Sequence, residues 1–87
     1  MSTPKRILIV ALENRVEALR MATGLTLSDA TLRVAVWGRT PSDDAARTQL
    51  EALEFAEVPI EELATDEAAG CAALARRIID SDVVYCV

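Results

Sequence analysis

Two cysteines, Cys71 and Cys86, are the only strong nucleophile type in this sequence. A thiol reacts as its thiolate, so a reactive cysteine needs exposure and a pKa lowered by cations or a helix N-terminus. Cys71 falls past the first turn of an expected helix, on its apolar stripe, with Asp66 and Glu67 upstream. Those features predict a neutral, buried thiol. The alternative is a sulfur-carrying Cys71, a catalytic candidate that receives and passes persulfide sulfur by exchange at the thiolate. Cys86 sits among valines in the last apolar run, where a packed thiol is expected unless the strand end is open to water.

Gly38-Arg39-Thr40-Pro41 combines a flexible glycine, a cation and an expected helix start. It is a weak anion-binding candidate at Gly38, Arg39 and Thr40. The competing reading is an ordinary strand-to-helix loop with a solvated arginine, and so loose a motif favours that reading. The first such loop, at Glu13 and Asn14, has no glycine, let alone G-x-G-x-x-G, and Glu13 stands where a phosphate would sit. No dinucleotide site is expected there. Glu57, Glu61, Glu62, Asp66 and Glu67 lack the alternating spacing and glycine turn of a calcium loop. They read as a solvated acidic face. The sequence contains no histidine, hence no histidine base or metal ligand. Neither a metal nor a cofactor is expected.

The elements that position these residues follow from the apolar patterning. Ile7 to Leu12 is a continuous apolar run, suited to a strand buried on both faces of a parallel sheet. Asn14 offers an N-cap with Glu17 at capping-box spacing. Val16, Ala18, Leu19, Ala22, Thr23 and Leu25 form the apolar side of the helix, and Gly24 marks its end or a close backbone approach. Ser28-Asp29-Ala30 is a turn, and Leu32 to Trp37 is a second strand closed by Gly38. Thr40 to Asp44 is a strong helix start, with Thr or Ser capping and Pro41 in the first helical position. Ala46, Leu50 and Leu53 face inward, and Glu51 and Glu54 outward. Val58 to Leu63 is a short, irregular or edge strand because Pro59 cannot donate to a ladder. Thr65 would cap a third helix, with Asp66 and Glu67 in its first turn and Cys71, Leu74, Ala75, Ile78 and Ile79 as its stripe. Arg76 and Arg77 suit its C-terminus. Asp80 to Asp82 turns into a last strand, Val83 to Val87.

Strict alternation of this kind predicts right-handed βαβ units on a parallel sheet. The expected fold is a small three-layer α/β domain over residues 1–87, Rossmann-like or flavodoxin-like, with about four strands and three helices. Both common doubly wound strand orders fit. One sheet face would be thinly covered, which invites a partner. Trp37 and Tyr85 serve either as core or as interface anchors.

Composition agrees. Hydrophobic types make up 52% of the 87 residues and charged types 26%, as in a folded domain. A chain this short buries only about 60% of its unfolded surface. The net charge of -5 argues against a nucleic-acid partner. No apolar run reaches the roughly eighteen residues of a membrane span, so no membrane association is expected. Lys5 and Arg6 before Ile7 to Leu12 faintly mimic a signal peptide, but the run is short and lacks a cleavage pattern. Two cysteines on different elements make no disulfide framework, and a cytoplasmic location is expected.

Two segments resemble the DsrE/DsrF-like family of small sulfur-relay proteins. Glu17 to Leu27 running into Leu32 to Gly38 resembles the family's first helix and second strand. Ala75 to Val87 is similar to its ending of helix, acidic turn and apolar strand. The resemblance implies the family fold and a family-type assembly. Catalytic members carry a cysteine near the end of the third strand, whereas Ile60 to Asp66 contains none, and this chain has one fewer βα unit. The expectation is therefore a non-catalytic subunit of a homo- or hetero-oligomer, with a sulfur-carrier protein as a possible partner. The alternatives are a sulfurtransferase using Cys71 and a small-anion or nucleotide-binding domain.

Overall fold

The apolar runs assemble into one parallel sheet. The computed structural model describes residues 5–63, 65 and 68–87. Strands β1 (Arg6–Ala11), β2 (Thr31–Trp37), β3 (Ile60–Leu63) and β4 (Val83–Cys86) alternate with helices α1 (Arg15–Leu25), α2 (Asp44–Phe55) and α3 (Ala68–Ile79). The strand order is β3-β2-β1-β4, and every pairing is parallel. The chain thus walks outward from β1 to β3, then crosses back to lay β4 on the other side of β1. That is the Rossmann order rather than the flavodoxin one.

The crossover divides the core into two layers. Ile9, Ala11, Val34 and Val36 pack against Ala18, Leu19 and Ala22 of α1 and Ala46 and Leu53 of α2. Leu8, Val10, Ala35 and Leu63 point to the opposite face, where Ala73 and Leu74 of α3 meet them. Neighbouring residues on one strand serve opposite layers, so β1 and β2 must be apolar on both sides. Two helices cover the first face and one covers the second.

The helix starts follow local hydrogen bonding. Asn14 Oδ1 accepts from Glu17 N at 3.2 Å and caps α1. The Glu17 carboxylate pairs with Arg20 at 3.3 Å, so only half of the capping box forms. Gly24 neither ends α1 nor receives a close neighbour: the helix runs on to Leu25, and the space beside Gly24 is open. At α2 the cap is Asp43, whose Oδ1 accepts from Ala46 N at 3.1 Å. Thr40, Pro41 and Ser42 lie ahead of the helix, because the Asp43 carboxylate reaches the first free amides. Glu57 closes α2 with φ 60, a left-handed conformation at a non-glycine residue.

Helix α3 is turned relative to its expected stripe. The inward positions are Gly70, Ala73, Leu74 and Arg77, at helical spacing. Cys71, Ala75, Ile78 and Ile79 are exposed, and of the expected stripe only Leu74 faces the sheet. The reason is on β3. Glu61 lies in register with Ala35, on the α3 face of the sheet. It draws Arg77 inward, where Nε donates to Oε2 at 2.8 Å. Gly70, one of the small residues on that side, is buried. The expected cap at Thr65, with Asp66 and Glu67, involves positions outside the described residues.

Candidate functional site

Ligands of open α/β sheets bind beyond the carboxyl ends of the strands, where the strand order reverses. Here that point lies between β1 and β4. The Val87 carbonyl fills it, accepting from Leu12 N at 2.8 Å and Glu13 N at 3.2 Å. The two amides that could cradle a phosphate are therefore committed, and the exposed Glu13 carboxylate adds repulsion.

The loop after β2 is the richer part of this edge. Gly38 has φ 104, and a Cβ there would stand 3.0 Å from Arg15 Nη2 and 3.4 Å from Thr65 Cγ2. The bare glycine lets the Arg15 guanidinium lie across the β2 end, where Nη2 donates to the Trp37 carbonyl at 2.6 Å. Arg15 Nε is buried and has no hydrogen-bond partner among the described residues. Hydrophobic patterning does not single out Arg15. The clue was a cation in the first turn of a helix that follows directly on a buried strand.

The expected anion candidates Gly38, Arg39 and Thr40 do come together, but the loop supplies its own anion. Glu62 Oε2 accepts from Thr40 N at 2.5 Å. That backbone hydrogen bond holds the Glu62 carboxyl below its ordinary value, with Arg39 adding a smaller attraction. An external anion would have to displace Glu62. Glu61, a neighbour in the acidic run, is likewise not a free solvated carboxylate. Its hydrogen bonding with Arg77 lowers its pKa against the opposing effect of burial, and Arg33 adds to the lowering. Among the described residues no group of three acidic or cysteine side chains gathers as a metal site.

Both cysteines are exposed free thiols, which corrects the expectation of a buried Cys71 and a packed Cys86. Cys71 turns outward with Ala75, Ile78 and Ile79 once Arg77 and Gly70 take the inner side. Cys86 lies on an edge strand, on the sheet face that α3 covers only in part. No side-chain hydrogen bond reaches either thiol among the described residues. Clefts of about 350 Å³ beside Thr31, Arg33 and Glu57, and about 320 Å³ beside Arg6, Arg33 and Asp80, open at the amino ends of the strands. That is the edge away from the usual ligand position.

No helix among the described residues is long and apolar enough to cross a membrane. No family model, curated protein or solved structure matches this chain.

Proposed function

We propose that this chain is a non-catalytic subunit of an oligomer, of the sulfur-relay type that its resemblance implies. The observation that carries the reading is apolar surface left open on α3, where Ile78 is 42% and Ile79 80% exposed. Fully burying a side chain of this size stabilises by roughly 1.5–3 kcal/mol, so two adjacent isoleucines suit contact with another chain. The committed amides at the sheet's carboxyl edge, and the Glu62 carboxylate on Thr40, support a structural rather than a ligand-processing role. Light scattering of the purified chain tests this. An oligomeric mass is expected, and a monodisperse monomer at micromolar concentration overturns the reading.

A second reading, a sulfurtransferase using Cys71, is favoured by the exposure of that thiol. Sulfur transfer requires an accessible thiolate. Alkylation of Cys71 at neutral pH tests it in a Cys86→Ser background. Reaction no faster than in the urea-unfolded chain removes it.

A further inference from the structure

We infer that the cleft at the amino end of β2 is a binding site for a free α-amino acid with an apolar side chain, held at both charged ends beside Leu32. The site lies at the far edge of the sheet from the loops after β1 and β2, and it stands independently of the subunit reading above.

The site begins with a broken ladder. Even-numbered residues of β2 bond toward β3: Val34 N donates to the Pro59 carbonyl at 2.9 Å, and Gly38 N, just past the strand, to the Leu63 carbonyl at 3.0 Å. Odd-numbered ones bond toward β1, as Thr31 N does to the Lys5 carbonyl at 2.8 Å. Leu32 therefore directs its N–H and C=O toward the chain ahead of β3. Extending the parallel register by two residues makes Pro59 N the donor to the Leu32 carbonyl, and a proline nitrogen carries no hydrogen. The matching acceptor would be the Glu57 carbonyl, but Glu57 turns away with φ 60 and no such bond forms. Among the described residues no hydrogen bond reaches either backbone group of Leu32. Leu32 is nonetheless only 6% exposed. Buried backbone groups are nearly always paired, so an open donor and an open acceptor on one residue call for an outside partner.

A cleft of about 350 Å³ opens at this gap, with Thr31, Leu32, Arg33, Glu57, Val58 and Pro59 in its walls. That size is at the small end of ligand pockets. It holds two opposite charges. Arg33 and Glu57 are exposed, and neither makes a salt bridge among the described residues.

These four groups select the ligand. A residue in extended conformation exchanges two hydrogen bonds with the residue opposite, its nitrogen donating and its carbonyl oxygen accepting. A free α-amino acid does the same with full charges. Its ammonium donates to the Leu32 carbonyl beside the Glu57 carboxylate, and its carboxylate accepts from Leu32 N–H beside the Arg33 guanidinium. Hydrogen bonds with an ionised partner are stronger than neutral ones. Val58 and Pro59 give the ligand side chain an apolar wall. A simple carboxylate would leave the Leu32 carbonyl and Glu57 without a partner, and a simple amine would leave Leu32 N–H and Arg33 without one.

The test is an NMR titration of the full, nitrogen-15-labelled chain with an equimolar mixture of L-alanine, L-valine, L-leucine and L-phenylalanine. In the free chain the Leu32 amide should exchange with solvent faster than the Val34 amide. The mixture should give saturable shifts of the Leu32, Arg33 and Val58 amides at millimolar concentration and slow the exchange at Leu32. Acetate and isobutylamine, each with one of the two charges, should shift these amides far less. Arg33→Gln and Glu57→Gln, both at exposed positions, should each weaken binding roughly tenfold, the effect of losing a hydrogen bond to a charged group. A Leu32 amide as protected as Val34 in the free chain overturns the inference. So does the absence of saturable shifts, or acetate alone reproducing the shifts of the mixture. Each of these outcomes leaves the subunit reading standing.

Discussion

Arg77 on α3 grips Glu61 on β3 from two nitrogens, Nε to Oε2 at 2.8 Å and Nη2 to Oε1 at 3.3 Å. The contact crosses from helix to sheet and turns α3. It brings Arg77, one of two arginines in the last turn, inward and leaves Arg76, Ile78 and Ile79 outside. The pair is only partly buried, so solvent screens it and its contribution to stability is modest. Its main consequence is orientation, from which the exposure of Cys71 follows.

Acid should weaken the fold through three carboxylates. Glu61, Glu62 and Asp82 are all held below their ordinary values, by hydrogen bonding with Arg77, by the Thr40 amide and by the Arg6 amide respectively. A carboxyl with a depressed folded pKa stabilises the protein above its unfolded pKa, and that stabilisation is lost as pH falls through the folded value. Urea unfolding should therefore show their stabilisation in full near neutral pH, with no dependence on pH there from these groups. A decline should begin as pH drops to the ordinary values of 4.5 for Glu and 3.8 for Asp, and continue below them. Glu61→Gln should flatten part of that decline. An unchanged acid limb in the variant would show that the Arg77 pair does not form in solution.

Gly38→Ala should destabilise by about 1–2 kcal/mol, the usual cost of a left-handed conformation at a residue with a side chain. The φ of 104 supplies the strain, and the added methyl would stand 3.0 Å from Arg15 Nη2. At the other left-handed position, Glu57→Gly should be neutral or stabilising, because φ 60 favours glycine. Denaturant midpoints of the two variants should move in opposite directions or, at least, differ clearly.

The turn of α3 is testable with neighbouring alanines. Ala73 packs on the second core layer, while Ala72 is exposed. Ala73→Glu should cost about 1–3 kcal/mol, as expected for a polar group placed in an apolar contact. Ala72→Glu should stay within about 0.5 kcal/mol. Equal effects would mean the helix faces the sheet as its apolar stripe first suggested.

Core packing gives the largest expected change. Leu53 is fully buried between α2 and the sheet, whereas Phe55, two residues on, is 92% exposed. Leu53→Ala should cost about 2–5 kcal/mol. That is a large share of what a domain of this size has, so the variant is expected to be partly unfolded at ambient temperature. Phe55→Ala should leave the thermal midpoint nearly unchanged.

The alternation of elements was legible in the residues because strand and helix periods are local. Ile7 to Leu12 carries no polar side and suits a strand covered on both faces, and Leu32 to Trp37 is apolar except at Arg33. Asn14 caps its helix, and Pro59 keeps β3 short and at the margin. These properties depend on near neighbours in sequence. Strand order, the rotation of α3 and the fate of each carboxylate depend on residues far apart in the chain. Glu61 and Arg77 are sixteen positions apart, Arg15 and Trp37 twenty-two, and Thr40 and Glu62 twenty-two. Hydrophobic periodicity alone put Cys71 inside. The Glu61 carboxylate, on the sheet face that α3 covers and unfavourable there unless paired, brought Arg77 inward and turned the thiol out to water.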